Sequence, residues 1–327
     1  MKNFYRILAA CVLSLSLLTG TSFAAPAWQL PAQGKVFTDT AEQIYIGDRM
    51  GKFFRGEVEM KFSAPSGWTY EKFSVGDVPV ERLANPKQKK SSRVVLQLHG
   101  GGYIGPLSDW YRDLAVKQAV LTDAREVYMV DYRLAPEHVY PAALDDAALV
   151  YRELLRRGVS SENIIVFGDS AGGNLALELS LWLKEEKLPQ PALMILISPW
   201  TTLETSMPSR TENADRDLVL GKSNPVMYNG VANPVYAGKI SLNDPRLSPI
   251  YADLTGLPPM LIQIGGYELF VDEGIELLKK ATADGLNVKL SVYRSMPHDF
   301  AMLLPELDES VKSFAEIKNF VNLYRPK

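Results

Sequence analysis

The chain has 327 residues, 46% hydrophobic and 22% charged, which is the balance of a globular protein and excludes a disordered or fibrous one. A net charge of −3 offers no basic face to nucleic acid or to an anionic membrane surface. The single cysteine, Cys11, excludes a disulfide framework.

Lys2 and Arg6 precede an apolar run over 7–18, and Ser22-Phe23-Ala24 is a small-x-small cleavage site. This pattern predicts a secretory signal peptide over 1–24, cut near Ala24 or Ala25, and hence an exported protein, periplasmic or secreted. About a dozen apolar residues are too few to span a bilayer, so the mature chain is expected to carry no integral membrane segment. The tetrad Leu8-Ala9-Ala10-Cys11 has the look of a bacterial lipoprotein box, but the apolar residues run on to Leu18 and Cys11 comes too early. Cleavage removes Cys11, and with it any thiol nucleophile or cysteine-ligated zinc. It leaves 33 basic against 38 acidic residues, a charge of about −5.

The remainder, 25–327, reads as one domain. Its first stretch, 26–55, contains the moderately amphipathic TAEQIYIGDRMGKFF, which predicts one or two surface helices. Two short strands over 70–85 flank Gly76-Asp77, a pair suited to a hairpin turn, and a basic, polar loop follows over 85–92. An alternation then sets in: strand 94–98, helix 108–121, strand 127–130, helix 142–157, strand 164–167, helix 174–187, strand 193–197. It breaks over 200–244, a tract dense in Thr, Asn, Pro and charge. Strand 260–264, helix 272–283, strand 288–293 and a last helix over 306–323 complete the chain. Continuous apolar strands alternating with helices predict a parallel sheet covered on both faces. The break is too long for a plain connection and predicts a functional insertion, read as a lid. Ligands of open α/β sheets bind at the carboxyl ends of the strands, where the chemically suggestive residues fall.

Gly168-Asp169-Ser170-Ala171-Gly172-Gly173 is the first of these. It joins the apolar run Ile164-Ile165-Val166-Phe167 to the helix-forming NLALELSLWLKEEK, and a serine flanked by glycines at i−2 and i+2 on a strand-to-helix turn is a nucleophile elbow. Both glycines are needed because the turn strains the serine and brings two backbones together. A serine hydroxyl needs a base, and the chain holds three histidines, His99, His138 and His298. His298, in MPHDF after the last strand, stands where the order serine, acid, histidine places the base. Glu268 is the preferred acid, in the loop just past strand 260–264. Asp272 reads better as a helix N-cap, and Asp299 adjoins His298, where neighbouring side chains usually diverge. His99-Gly100-Gly101-Gly102 supplies bare backbone N–H groups for a developing oxyanion, together with the N–H of Ala171, each worth about 3–4 kcal/mol in the transition state. His99 itself then shapes the loop.

Two other readings fail. Gly100-Gly101-Gly102-Tyr103-Ile104-Gly105 spells a dinucleotide fingerprint after a strand, with Asp131 ending the next strand. Pro106 stands where the helix of such a site should be running, and the reading leaves the elbow and MPHDF unexplained. No zinc-binding histidine pair or carboxylate cluster appears, and Asp145-Asp146 reads as a solvated helix face, so neither metal nor cofactor is expected.

HGGGY (99–103), DYRLAPEH (131–138), GDSAGGN (168–174), SPW (198–200), GLPPMLIQIGGYELFVDE (256–273) and MPHDF together resemble the hormone-sensitive-lipase-like branch of α/β-hydrolase esterases, from about Val94 to the C-terminus. The resemblance implies an α/β-hydrolase fold, a mostly parallel eight-stranded sheet flanked by helices. It also implies a helical cap made from about 26–60 and 200–244. It places a triad at Ser170, His298 and Glu268, with oxyanion donors at Gly101, Gly102 and Ala171. Glu268 departs from the aspartate of many members, although glutamate also occurs there.

The expectation is an exported serine carboxylic ester hydrolase of small esters, with no cofactor and no nucleic-acid partner. Short- to medium-chain acyl groups follow from the resemblance, in a pocket walled by residues such as Tyr103, Trp200 and Tyr267. A lactone or amide hydrolase, an acyltransferase and a non-catalytic binding protein on the same fold stay open as alternatives, as does a homodimer.

Overall fold

A computed structural model describes residues 26–324, and the signal-peptide reading falls on residues outside those described. The hairpin expected around Gly76-Asp77 forms from β1 (Thr69–Val75) and β2 (Val78–Ala84), with Val75 opposite Val78 and Gly76 at φ +56°. Then come β3 (Val94–Leu98), β4 (Glu126–Val130), β5 (Ile164–Asp169), β6 (Leu193–Ile197), β7 (Met260–Gly265) and β8 (Val288–Tyr293). The eight strands form one sheet in the order β1-β2-β4-β3-β5-β6-β7-β8. From β4 to β8 every pairing is parallel, and β2 alone runs against its neighbours. The central strands β3, β5, β6 and β7 are buried along their whole length, so they read as unbroken apolar runs.

The helices are α1 (Asp39–Phe54), α2 (Asp109–Thr122), α3 (Ala142–Arg156), α4 (Ser170–Glu185), α5 (Ser209–Glu212), α6 (Pro225–Ala232), α7 (Val271–Ala283), α8 (Phe300–Leu303) and α9 (Asp308–Leu323). α2 packs with α9 on one face of the sheet, while α3 and α4 pack together on the other. Two buried glutamines are tied to the α2–α9 layer. Gln97 donates to Tyr111 O and Gln118 Oε1, and Gln263 donates to Ser313 O. Two boundaries differ from the sequence reading. α4 begins at Ser170 rather than at 174, its first turn running through the elbow itself. The last helix starts at Asp308 rather than at 306, and the short α8, which the sequence reading did not include, ends before it at Leu303.

The segment 200–244 carries α5 and α6 and is anchored to the core through charge. Arg210 of α5 pairs with Glu273 of α7 at 2.5 Å, both side chains being buried, and its guanidinium lies 4.4 Å over the Phe270 ring. The other Glu273 oxygen accepts from the N–H groups of Thr201 and Thr202 at 2.9 and 3.2 Å. Burial pushes the Glu273 carboxyl up to about 7, against the pull of Arg210 and those two N–H groups.

Removing one partner of such a pair strands the other charge. Arg210→Leu is expected to cost about 3–5 kcal/mol at pH 8. A carboxyl whose pKa is raised on folding binds extra protons in the native state, so the loss shrinks as pH falls towards 5. The double variant Arg210→Leu/Glu273→Met recovers most of the stability. Urea melts of the three proteins at both pH values check this.

Candidate active site

β5 feeds α4 through a turn pressed against the end of β3. Ser170 sits in that turn at φ +50°, a left-handed conformation that costs a serine energy. The glycines around it are sterically required. A Cβ on Gly172 would lie 2.0 Å from Leu98 O, and one on Gly168 would lie 2.2 Å from Gly172 O. Asp169 closes the turn from behind, its carboxylate accepting from Gly100 N at 3.1 Å and from the Tyr111 hydroxyl at 2.9 Å. Burial first, and then the nearby Asp299, raise the Asp169 carboxyl well above its ordinary range.

The loop after β3 runs beside this turn. Gly101 and Gly102 take φ +100° and +65°, and Gly105 N donates back to Gly101 O at 2.8 Å. Neither the Gly101 nor the Gly102 N–H has an acceptor among the described residues. Ala171 N–H lies in the first turn of α4, where no intrahelical acceptor exists. His99 is fully buried, stacked on Tyr132 with centroids 4.1 Å apart, and Tyr132 donates to His99 O at 2.5 Å. Burial pushes its imidazole down to about 4.

The carboxyl ends of β6, β7 and β8 supply the rest. Glu268 is wholly buried, and its Oε2 lies 3.1 Å from His298 Nδ1. Its Oε1 accepts from the Ser198 hydroxyl at 2.6 Å and from the Gly265 N–H. Burial pushes Glu268 up to about 7, opposed by the hydrogen bond and charge of His298. The insertion holds the acid's backbone, since Asn213 donates to Glu268 O at 2.9 Å and Asp217 accepts from Leu269 N at 3.0 Å.

Asp299, whose side chain the sequence reading turned away from His298, meets the same ring. Its left-handed backbone (φ +52°) folds the carboxylate back, so that Oδ2 lies 3.2 Å from His298 Nε2. Its own N–H donates to the Ser198 hydroxyl at 3.1 Å. His298 is thus an imidazole between two carboxylates. Ser170 Oγ forms no hydrogen bond with it in this arrangement, as is common in unliganded sites. Burial disfavours the imidazolium, but Asp299 and then Glu268 outweigh it and raise His298 well above 6.5.

Other residues singled out from sequence fall differently. Asp272 is not an N-cap but lies inside the first turn of α7, accepting from Ser209 N at 2.8 Å. Asp146 is buried and paired with Arg133 at 2.8 Å, not solvated. Trp200 is buried, stacks on Phe270 and lines a cavity beside Gly102. Tyr103 does not line that cavity. It is wholly buried, stacks on Tyr236 at 3.6 Å and donates to Asn174 Oδ1 at 2.6 Å. Tyr267 is also absent from the lining, its ring lying 5.4 Å from the Arg216 guanidinium. Ser198, Asn213, Asp217 and Arg210 were not foreseen. Only Ser198 left a signal, as the first residue past a central strand in the SPW block.

Residues 95–302 match the family described as the alpha/beta hydrolase fold. An esterase of Acinetobacter venetianus is 34% identical over 233 residues, covering 71% of this chain and 76% of the relative. An acetyl-hydrolase of Streptomyces hygroscopicus is 34% identical over 226 residues, covering 68% and 72%. The crystal structure of an esterase from the bacterial hormone-sensitive lipase family superposes with a TM-score of 0.77 at 31% identity, covering 88% of this chain and 99% of that one. The chain belongs to the α/β-hydrolase family, in its hormone-sensitive-lipase-like esterase branch. It is a hydrolase of the carboxylesterase type.

Three histidines make the electrostatics of the site directly measurable. In an NMR titration of the imidazoles, His99 is expected to stay neutral down to about pH 4 and His298 to change charge well above 6.5. Asp299→Asn removes the charge that most favours the imidazolium, so it lowers the His298 midpoint.

Proposed function

We propose that the protein is an exported serine esterase of short- to medium-chain acyl esters, working through Ser170, His298 and Glu268. The observation that carries this reading is the buried Glu268–His298 pair at the strand ends, standing with a strained Ser170 and the unpaired N–H groups of Gly101 and Gly102.

Ser170 Oγ attacks the ester carbonyl while His298 Nε2 takes its proton, once Asp299 has released that nitrogen. Glu268 holds Nδ1 and stabilises the imidazolium. The N–H groups of Gly101, Gly102 and Ala171 bind the oxyanion, and the N-terminus of α4 adds a favourable dipole. His298 then protonates the departing alcohol. Water, deprotonated by the same imidazole, frees the acid. Segments 26–60 and 200–244 act as the cap over these groups. The acyl range rests on the family resemblance, its short end supported by the named acetyl-hydrolase among the relatives, and export rests on the charged, apolar and small-residue pattern of 1–24.

Ser170→Ala is expected to lower kcat/KM on p-nitrophenyl acetate by at least about 10⁴-fold and to abolish labelling by an organophosphonate. Hydrolysis at the wild-type level would refute the mechanism. Glu268→Gln, which leaves the imidazole in the wrong tautomer, is expected to cost about 10³–10⁴-fold with the fold intact by circular dichroism. Because the base must be neutral, activity falls as pH drops through the His298 midpoint, so the acid limb of the profile lies above 6.5. Fractionation of cells expressing the full chain checks export, a shortened product outside the cytoplasm being the expected outcome.

A further inference from the structure

α6 contains a glycine that its own surroundings do not explain. Gly230 lies inside the helix, where glycine is among the poorest residues, and a Cβ built there would meet no atom within 4 Å. Neither a left-handed backbone nor a close neighbour requires it, unlike the glycines of the serine turn. The space it leaves open is a cavity of about 100 Å³.

That cavity has a definite address. Val226 and Gly230, and Met227 and Val231, are two i, i+4 pairs that put one face of α6 along its wall. Gly102 and Trp200 stand opposite, and Ile104, Val226 and Val235 form a rim of exposed apolar side chains at its mouth. None of its walls comes from His298 or the acid loop. Phe270 separates the two sides, stacked on Trp200 at 5.7 Å and edge-on to His298 at 5.1 Å. The departing alcohol must lie beside His298, which protonates it. A cavity that reaches an oxyanion glycine but not the base is therefore on the acyl side.

We infer that this cavity is the acyl site and that Gly230 sets how long an acyl chain it admits; the inference rests on the serine-esterase reading above. An apolar cavity of about 150 Å³ holds the six carbons of benzene, so 100 Å³ holds about four. The favoured substrates are then acetyl to butyryl esters, with longer chains forced out across the Ile104–Val226–Val235 rim. A side chain at 230 would lean back along the helix over the turn that carries Val226 and Met227, into the acyl space.

The test compares full-length wild type, Gly230→Ala, Gly230→Val and Met227→Ala on p-nitrophenyl esters from acetate to octanoate. Gly230→Val is expected to lower the butyrate-to-acetate ratio of kcat/KM by about 10-fold or more. Gly230→Ala lowers the ratio by less while melting roughly 2 °C higher, since alanine improves the helix. Met227→Ala shifts the ratio the other way, towards longer chains. A second series of acetate esters, from methyl to octyl, keeps its wild-type profile in Gly230→Ala. An unchanged acyl ratio in the alanine variants, or a changed alcohol profile, overturns the assignment even if Gly230→Val fails to fold. Failure of the catalytic reading itself looks different, with wild type neither hydrolysing the acetate nor taking up an organophosphonate at Ser170.

Discussion

The packing of the β5–α4 turn against the end of β3 is the constraint on which the site depends. With Leu98 O only 2.0 Å from where a Gly172 Cβ would sit, no side chain fits between the two backbones. That proximity places Ser170 beside the triglycine loop and forces its left-handed φ. Asp169 locks the arrangement by taking hydrogen bonds from Gly100 and Tyr111, so the loop and the turn move as one unit. A substitution at Gly168 or Gly172 would therefore disturb the nucleophile and the loop together, and the cost would appear as lost stability as well as lost activity.

The second half of the site is governed by buried charge rather than by backbone contact. Glu268 and Asp299 flank a single imidazole away from water, with Asp169 buried nearby, and burial raises the carboxyl of Glu268 to about 7 and that of Asp169 well above its ordinary range. His298 relieves this by carrying positive charge, which is why its own affinity for a proton rises. The same balance sets a cost on catalysis, because the base must be neutral before it can accept a proton from serine. Ser198, at a left-handed φ of +45°, mediates between the two acids, donating to Glu268 and accepting from the Asp299 backbone.

What the sequence disclosed and what it hid divide along the same line. Ser170, the glycines and the HGGG loop are local patterns, legible because one turn dictates residue types a few positions apart. Glu268 and His298 were legible through chain order and strand ends, and the structure brings them to 3.1 Å. Asp299 was misread because adjacent side chains diverge in extended backbone, whereas here a positive φ bends the chain back. How Tyr103 and Tyr267 stand to the pocket is something spacing does not show, because the direction of an aromatic side chain is fixed by its packing partners. Tyr236 and Asn174 claim the first, and Arg216 lies over the second. Arg210, Asn213 and Asp217 lie more than fifty residues from what they hold, and no spacing rule reaches that far.

These long-range ties give the 200–244 insertion two different halves. Its first half, through Arg210, Asn213 and Asp217, is bolted to α7 and the acid loop by buried charged and polar contacts, so motion there would disturb Glu268 directly. In its second half, α6 has only Val231 fully buried, with Val226 exposed, while Tyr236 and Ala237 beyond the helix are buried. Buried ion pairs tolerate little change, since losing either partner strands a charge. A helix that meets the core through Val231 and the partly buried Met227 and Tyr228, beside a cavity, tolerates more. Acid placement and pocket shape can therefore vary independently in this fold, and substrate range is adjustable in α6 without retuning the imidazole.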